Sequence, residues 1–197
     1  MTDLTDRDAA ILWAREILTH DIVILDCETT GLEYDDEAVS IGLVAKDGTI
    51  LLDTLLCHEK PCSPKALATH GITWEMTRGA PRIAGIYETL IDLLTAQPVI
   101  GYNAGFDHRI IQQTLDRYGL FSIHWDYSSD VMGRFAAFYG AWNDYRQNYT
   151  WQKLTTAAAH FGLSVVGAHG AVADALLTLG VVIKMAGTST KKETNHE

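Results

Sequence analysis

Apolar residues recur along the chain in two rhythms. Over residues 4–19 they fall at Leu4, Ala9, Ile11, Leu12, Ile17 and Leu18, the three-to-four spacing that predicts an amphipathic helix. The rhythm then changes. "IVIL" at 22–25 is a short apolar run rich in β-branched residues, which predicts a central strand. "AVSIGLVAK" and "TILLDTLLC" follow, with Asp47 and Gly48 between them, and predict a β-hairpin.

The middle of the chain returns to the helical spacing. "SPKALATHG" opens with a capping serine and a first-turn proline and stops at Gly71. "RIAGIYETLIDLLTA" predicts a helix that ends before Pro98, and "PVIGYN" a fourth strand. "FDHRIIQQTLDRYG" predicts a helix closed by Gly119. Residues 129–141 and 151–161 read as helical. "AVADALLTLGVVIKMA" is apolar nearly all round and predicts a buried helix, and the polar "GTSTKKETNHE" is expected to fray. Strands alternating with helices, with neither repeat nor linker, predict one α/β domain over residues 21–186. A helical extension at 1–20 precedes it and a polar tail at 187–197 follows.

Composition fits that picture. The 197 residues are 47% apolar and 20% charged, as in a globular chain with a sizeable core. No apolar run approaches the roughly 20 residues that span a bilayer, and the charged N-terminus lacks the apolar core of a signal peptide. Cys27, Cys57 and Cys62 have neither disulfide nor zinc spacing, which points to a reducing cytosol. The net charge of −10 argues against general electrostatic binding to nucleic acid. A carboxylate site filled by divalent cations escapes that argument, because the cations reverse the local field.

Candidate chemistry sits where acids break the apolar pattern. Asp26 and Glu28 follow the first strand, and in extended chain two such positions share a face. Asp107 lies in the first turn of a helix, where the helix dipole alone would explain it. Asp174 interrupts the last, apolar helix, with His169 five residues earlier. Singly, each has a plain structural reading. Together, four oxygen donors suit Mg2+ or Mn2+.

The order of "DCETTGL", "NAGFD" and "HGAVAD" resembles the three motifs of the DEDDh (DnaQ-like) 3′–5′ exonucleases, and "ATHGITWEM" with the later "AP" resembles the segment between the first two. The likeness covers about residues 20–186. Tyr102 departs from it, standing where many members carry histidine. The resemblance implies a ribonuclease H-like fold, a mixed sheet flanked by helices. It implies two divalent metal ions, Mg2+ or Mn2+, on Asp26, Glu28, Asp107 and Asp174, with His169 as general base. It places Leu32, the backbone near Thr29 and Thr30, Asn103 and Phe106 against the terminal nucleotide, with core packing beneath Asp107 as the other reading of Phe106. The implied activity is hydrolysis at DNA 3′ ends, single-stranded or frayed, releasing nucleoside 5′-monophosphates. An exoribonuclease, a subunit or binding module of a polymerase or other processing complex, and a phosphohydrolase of small nucleotides are the alternatives. The aromatic stretch 135–151 reads mostly as core, with base stacking as its other use. Arg134, Arg146 and Lys153 stand near it as phosphate contacts or a solvated face.

Overall fold

The computed structural model describes residues 5–127, 130–164 and 170–194. Helix α1 (Asp6–Ile17) begins where the Thr5 hydroxyl accepts the Asp8 N–H. Strands β1 (Val23–Thr29), β2 (Ala38–Ala45) and β3 (Ile50–Leu55) follow as an antiparallel meander. The β2–β3 turn uses Gly48 at a φ of 87°, a conformation that costs glycine little. Helices α2 (Pro64–His70) and α3 (Trp74–Thr77) lead to a 3-10 turn at Ile83–Ile86 and helix α4 (Tyr87–Thr95). The single helix expected over 82–96 is thus divided. Gly85 supplies little helix propensity, and its N–H closes on the Arg82 carbonyl in a tighter turn.

Strand β4 (Val99–Ile100) pairs parallel to β1 and completes the sheet in the order β3-β2-β1-β4. Helix α5 (Ala104–Arg117) leaves its end, and Gly119 terminates it at a φ of 66°. Helix α6 (Val131–Tyr139) is capped by the Asp130 carboxylate. A small hairpin of β5 (Trp142–Asn143) and β6 (Asn148–Tyr149), unforeseen from the pattern, precedes α7 (Leu154–His160) and α8 (Ala171–Ala186).

The period of two along β1 sorts the interior into two layers. Ile22 and Ile24 face the core of α1, α6, α7 and α8, with Ile11, Phe135, Ala175 and Val182. Val23, Leu25 and Cys27 face the core of α4 and α5, with Leu90, Leu94, Ile110 and Leu115. The architecture is therefore the expected mixed sheet between helical layers. Of the aromatic stretch, Phe135 and Phe138 are core, whereas Trp142, Tyr145 and Trp151 are exposed, so the expectation of core for most of it is corrected.

The C-terminal segment also departs from expectation. Residues Lys191–Thr194 form helix α9 instead of fraying. Arg15 on α1 grips Glu193 through two hydrogen bonds of 2.7 and 3.1 Å and donates to the Ala186 and Thr188 carbonyls. The Lys191 N–H donates to Asp8 at 3.0 Å. No helix among the described residues is long and apolar enough to cross a membrane.

Candidate active site

Strand β1 runs further than its apolar segment. It continues through both acids to Thr29, with Asp26 opposite Gly42 and Glu28 opposite Ser40 on β2. The alternation that turns Ile22 and Ile24 toward α8 turns Asp26 and Glu28 the same way. Asp174, in the first turn of α8, meets them there. One carboxylate oxygen from each of Asp26, Glu28 and Asp174 lies within 4.8 Å of the others. The approach of α8 depends on Gly42, where an added Cβ would stand 2.5 Å from backbone atoms of Ala171 and Val172.

Asp107 arrives from the other side of the sheet. The turn at Asn103 starts α5, its carbonyl accepting the Phe106 N–H at 2.8 Å, and Asp107 follows one turn in. The Cys27 N–H donates to the Asp107 carboxylate at 3.0 Å, which pins this side chain beside the strand end. Burial raises Asp107 to about 8, against the lowering effect of the Cys27 N–H. Burial, then the neighbouring charge of Asp174, raises Glu28 to about 7. Asp26 is raised well above the ordinary carboxylate range by burial and by Asp107, Asp174 and Glu28 together. Like charges packed this closely favour either protons or a cation. An all-oxygen donor set fits a hard divalent cation. His169 lies outside the described residues.

A cavity of about 180 Å³ adjoins Glu28. Thr29, Leu32 and Phe106 line it together with Ser63, Lys65, Ala66, Thr69 and His70 of α2 and its cap. Leu32 is 59% exposed, its side chain standing in solvent at the cavity. Thr30 is not part of this wall. It is fully buried, its hydroxyl donating to Asp36 at 2.7 Å and accepting the Glu37 N–H at 2.9 Å. Its carbonyl accepts the Ser63 N–H at 2.7 Å. Its side chain fixes the loop that presents Leu32. Asn103 has an exposed side chain and does not line the cavity. Arg109 steadies the same loop, donating to the carbonyls of Leu32 and Glu33.

The α2 wall went unread in the sequence except as part of the inter-motif segment. His70 is its most informative member. Its Nδ1 accepts the Ile72 N–H at 2.9 Å and its Nε2 faces the Thr29 carbonyl at 3.1 Å, which places the proton on Nε2. Burial lowers its pKa, so the ring is neutral and ties α2 to the end of β1. The signal for it was a histidine one residue before the helix-ending Gly71.

The family model described as Exonuclease (RNase_T) matches residues 23–182. The "uncharacterized exonuclease CP81" of Escherichia phage 186 is 39% identical over 179 residues, which cover 88% of this chain and 92% of that protein. A PolC-type DNA polymerase III of Caldanaerobacter subterraneus subsp. tengcongensis is 28% identical over 172 residues, 85% of this chain and 12% of the polymerase. Among solved structures, E. coli Exonuclease I in complex with a dT13 oligonucleotide superposes with a TM-score of 0.69 at 18% identity, covering 89% of this chain and 43% of that one. The likeness assigns the ribonuclease H-like fold.

Proposed function

The chain belongs to the RNase_T exonuclease family, of DnaQ-like type, and from that premise we propose that it hydrolyses DNA from the 3′ end, releasing nucleoside 5′-monophosphates from single-stranded or frayed termini. The observation that carries the reading is the partly buried carboxylate cluster of Asp26, Glu28 and Asp174, with Asp107 beside it, whose Glu28 adjoins a cavity with apolar walls. Leu32 and Phe106 offer those walls to a terminal base. Lys65 and Thr69 line the same cavity, where a sugar or phosphate needs polar partners.

The four carboxylates would hold two Mg2+ or Mn2+ ions. Such ions, when bound, stabilise charge on the attacking and leaving oxygens of a phosphodiester. The Cys27 N–H keeps Asp107 oriented, and the Gly42 contact holds Asp174 in reach of β1. His169, by its place in the third motif, takes the proton from the attacking water, a task suited to an ordinary imidazole pKa near ~6.5. The Leu32 loop, braced by Thr30, Asp36 and Arg109, fixes the depth at which the last nucleotide stops.

DNA is favoured over RNA because the solved relatives carry DNA oligonucleotides and the PolC-type relatives are DNA polymerases. Likeness to a segment of those polymerases also supports a second reading, in which the same activity serves a polymerase or another processing complex. The test is product analysis with matched DNA and RNA strands, single and duplex, labelled at the 5′ end. A ladder shortening from the 3′ terminus, mononucleotide release and resistance of a 3′-blocked strand are expected. Equal cleavage of a circular single strand would overturn the exonuclease reading, and faster loss of RNA would transfer the substrate.

A further inference from the structure

Within ten residues of one another, three large aromatic side chains stand in solvent. Trp142 is 49% exposed, Tyr145 95% and Trp151 68%. All belong to the β5–β6 hairpin and the residues that leave it. Exposed aromatic patches of this kind mark interaction surfaces.

The hairpin is held firmly at both ends. Trp142 packs edge-on against Tyr149 with ring centroids 5.1 Å apart. The Tyr149 hydroxyl donates to Asp6 at 2.7 Å, and the Thr150 N–H donates to the Ala141 carbonyl at 2.8 Å. At the loop, the Asn143 side chain accepts the Arg146 N–H at 2.9 Å. Beyond β6, the Tyr102 hydroxyl donates to the Gln152 carbonyl at 2.9 Å. Tyr102 immediately precedes Asn103, which starts the helix bearing Asp107. The Trp151–Gln152 segment is thus tied to the start of the helix that bears Asp107.

The surroundings mix apolar faces with polar groups. A groove of about 300 Å³ runs between Asn143, Arg146, Asn148, Thr150 and Trp151. The segment 141–153 carries Arg146 and Lys153 against the single acid Asp144, a positive balance in a chain of net charge −10. Flat aromatic faces interleaved with amides and cations suit a single nucleic-acid strand. Every base has a face to stack, and the cations take phosphate. An apolar protein partner would leave Arg146, Asn143 and Asn148 poorly matched.

We propose that the β5–β6 hairpin with Trp151 is a second nucleotide-binding platform, which holds the strand upstream of the terminus seated in the cleft. The inference rests on the exonuclease reading for its substrate and adds how that substrate is gripped. Because its partners are bases stacked without regard to sequence, the platform lowers KM for longer strands and leaves terminal chemistry to the cleft.

The test is a length series of oligo-dT, from a dinucleotide to about sixteen nucleotides, the span over which single-strand platforms act. The variants are Tyr145→Ala with Trp151→Ala, and separately Arg146→Ala. For the aromatic double variant KM should rise at least about tenfold on the longest strands, because two base stacks are lost. The loss should shrink as strands shorten and vanish for a dinucleotide too short to reach the hairpin. Quenching of tryptophan fluorescence by the same strands, measured in chelator so that nothing is hydrolysed, should weaken with Trp151→Phe. An unchanged length dependence with unchanged quenching overturns the platform. A double variant that loses mass by light scattering overturns it too, since the face would then join two copies of the chain. Failure of the exonuclease reading is recognised separately: no strand is degraded by the unaltered protein, while the quenching result still stands or falls by itself.

Discussion

Replacing Gly42 with alanine tests whether catalysis depends on how closely α8 approaches the sheet. A Cβ at that position would lie 2.5 Å from the Ala171 carbonyl carbon and the Val172 nitrogen, where ordinary contact begins at 3.4 Å. Both are backbone atoms, so no rotamer change relieves the clash. The first turn of α8 has to retreat by about 1 Å, and overpacking of this kind costs roughly 1–3 kcal/mol. For a chain of this size that is a fall of roughly 2–12 °C in Tm. Asp174 lies in the retreating turn, and its oxygen must stay within the 4.8 Å set shared with Asp26 and Glu28. A displacement near 1 Å at a reacting centre lowers rate by about 10²-fold. Gly42→Ala is expected to fold, to turn over about 10²-fold more slowly, and to gain less thermal stability from Mg2+. Gly79→Ala serves as the control, because a Cβ there meets nothing within 4 Å. Melts in chelator and across a Mg2+ titration, beside single-turnover hydrolysis, decide it. A Gly42→Ala protein with normal rate and the full metal-induced shift would refute the reasoning.

Two further outcomes concern the acids themselves. Asp26→Asn removes one of the crowded charges, so it should be inactive, melt at or above the unaltered protein in chelator, and gain less from Mg2+ or Mn2+, which stabilise by binding the folded state; strong destabilisation in chelator would show that Asp26 holds the fold. Glu28 and Asp107, raised to about 7 and about 8, contribute stability that is present below the ordinary carboxylate range and is lost as pH rises through those values. In chelator, Tm should therefore fall between pH 5 and pH 9, Glu28 alone accounting for roughly 3 kcal/mol at about 1.4 kcal/mol per pH unit, and Mg2+ should flatten the slope; a Tm that rises over this range would contradict the assignment.

Much of the fold was legible because its long elements repeat one rule many times. Helix α5 and the β2–β3 hairpin show their periods over enough residues to leave little choice. The carboxylates were legible because acids are conspicuous in apolar segments. Three features escaped for specific reasons. Strands β5 and β6 are two residues each, too short for any period to register. Helix α9 depends on Arg15, far away in sequence, and local composition carries no trace of that partner. Gly42 reads as one more small residue in a strand, and its importance arises only when α8 comes down upon it. Thr30 shows the limit from the other side. Its place in a motif implies contact with a ligand through the backbone and says nothing of its hydroxyl, which has two partners within its own loop.

The place of α1 has a consequence for synthesis. Its apolar face, Ala10, Ile11 and Ala14, is covered by side chains of residues 131–185. At about 5–20 residues per second, a ribosome needs roughly 8 to 34 s to travel from the end of α1 to the end of that core. Through most of that interval α1 lacks these partners, since α6 and α8 are both made long after the β1–β3 meander is complete. The nascent chain thus carries an incompletely covered apolar helix until α8 emerges, and the closure by Arg15 and Glu193 can form only after that.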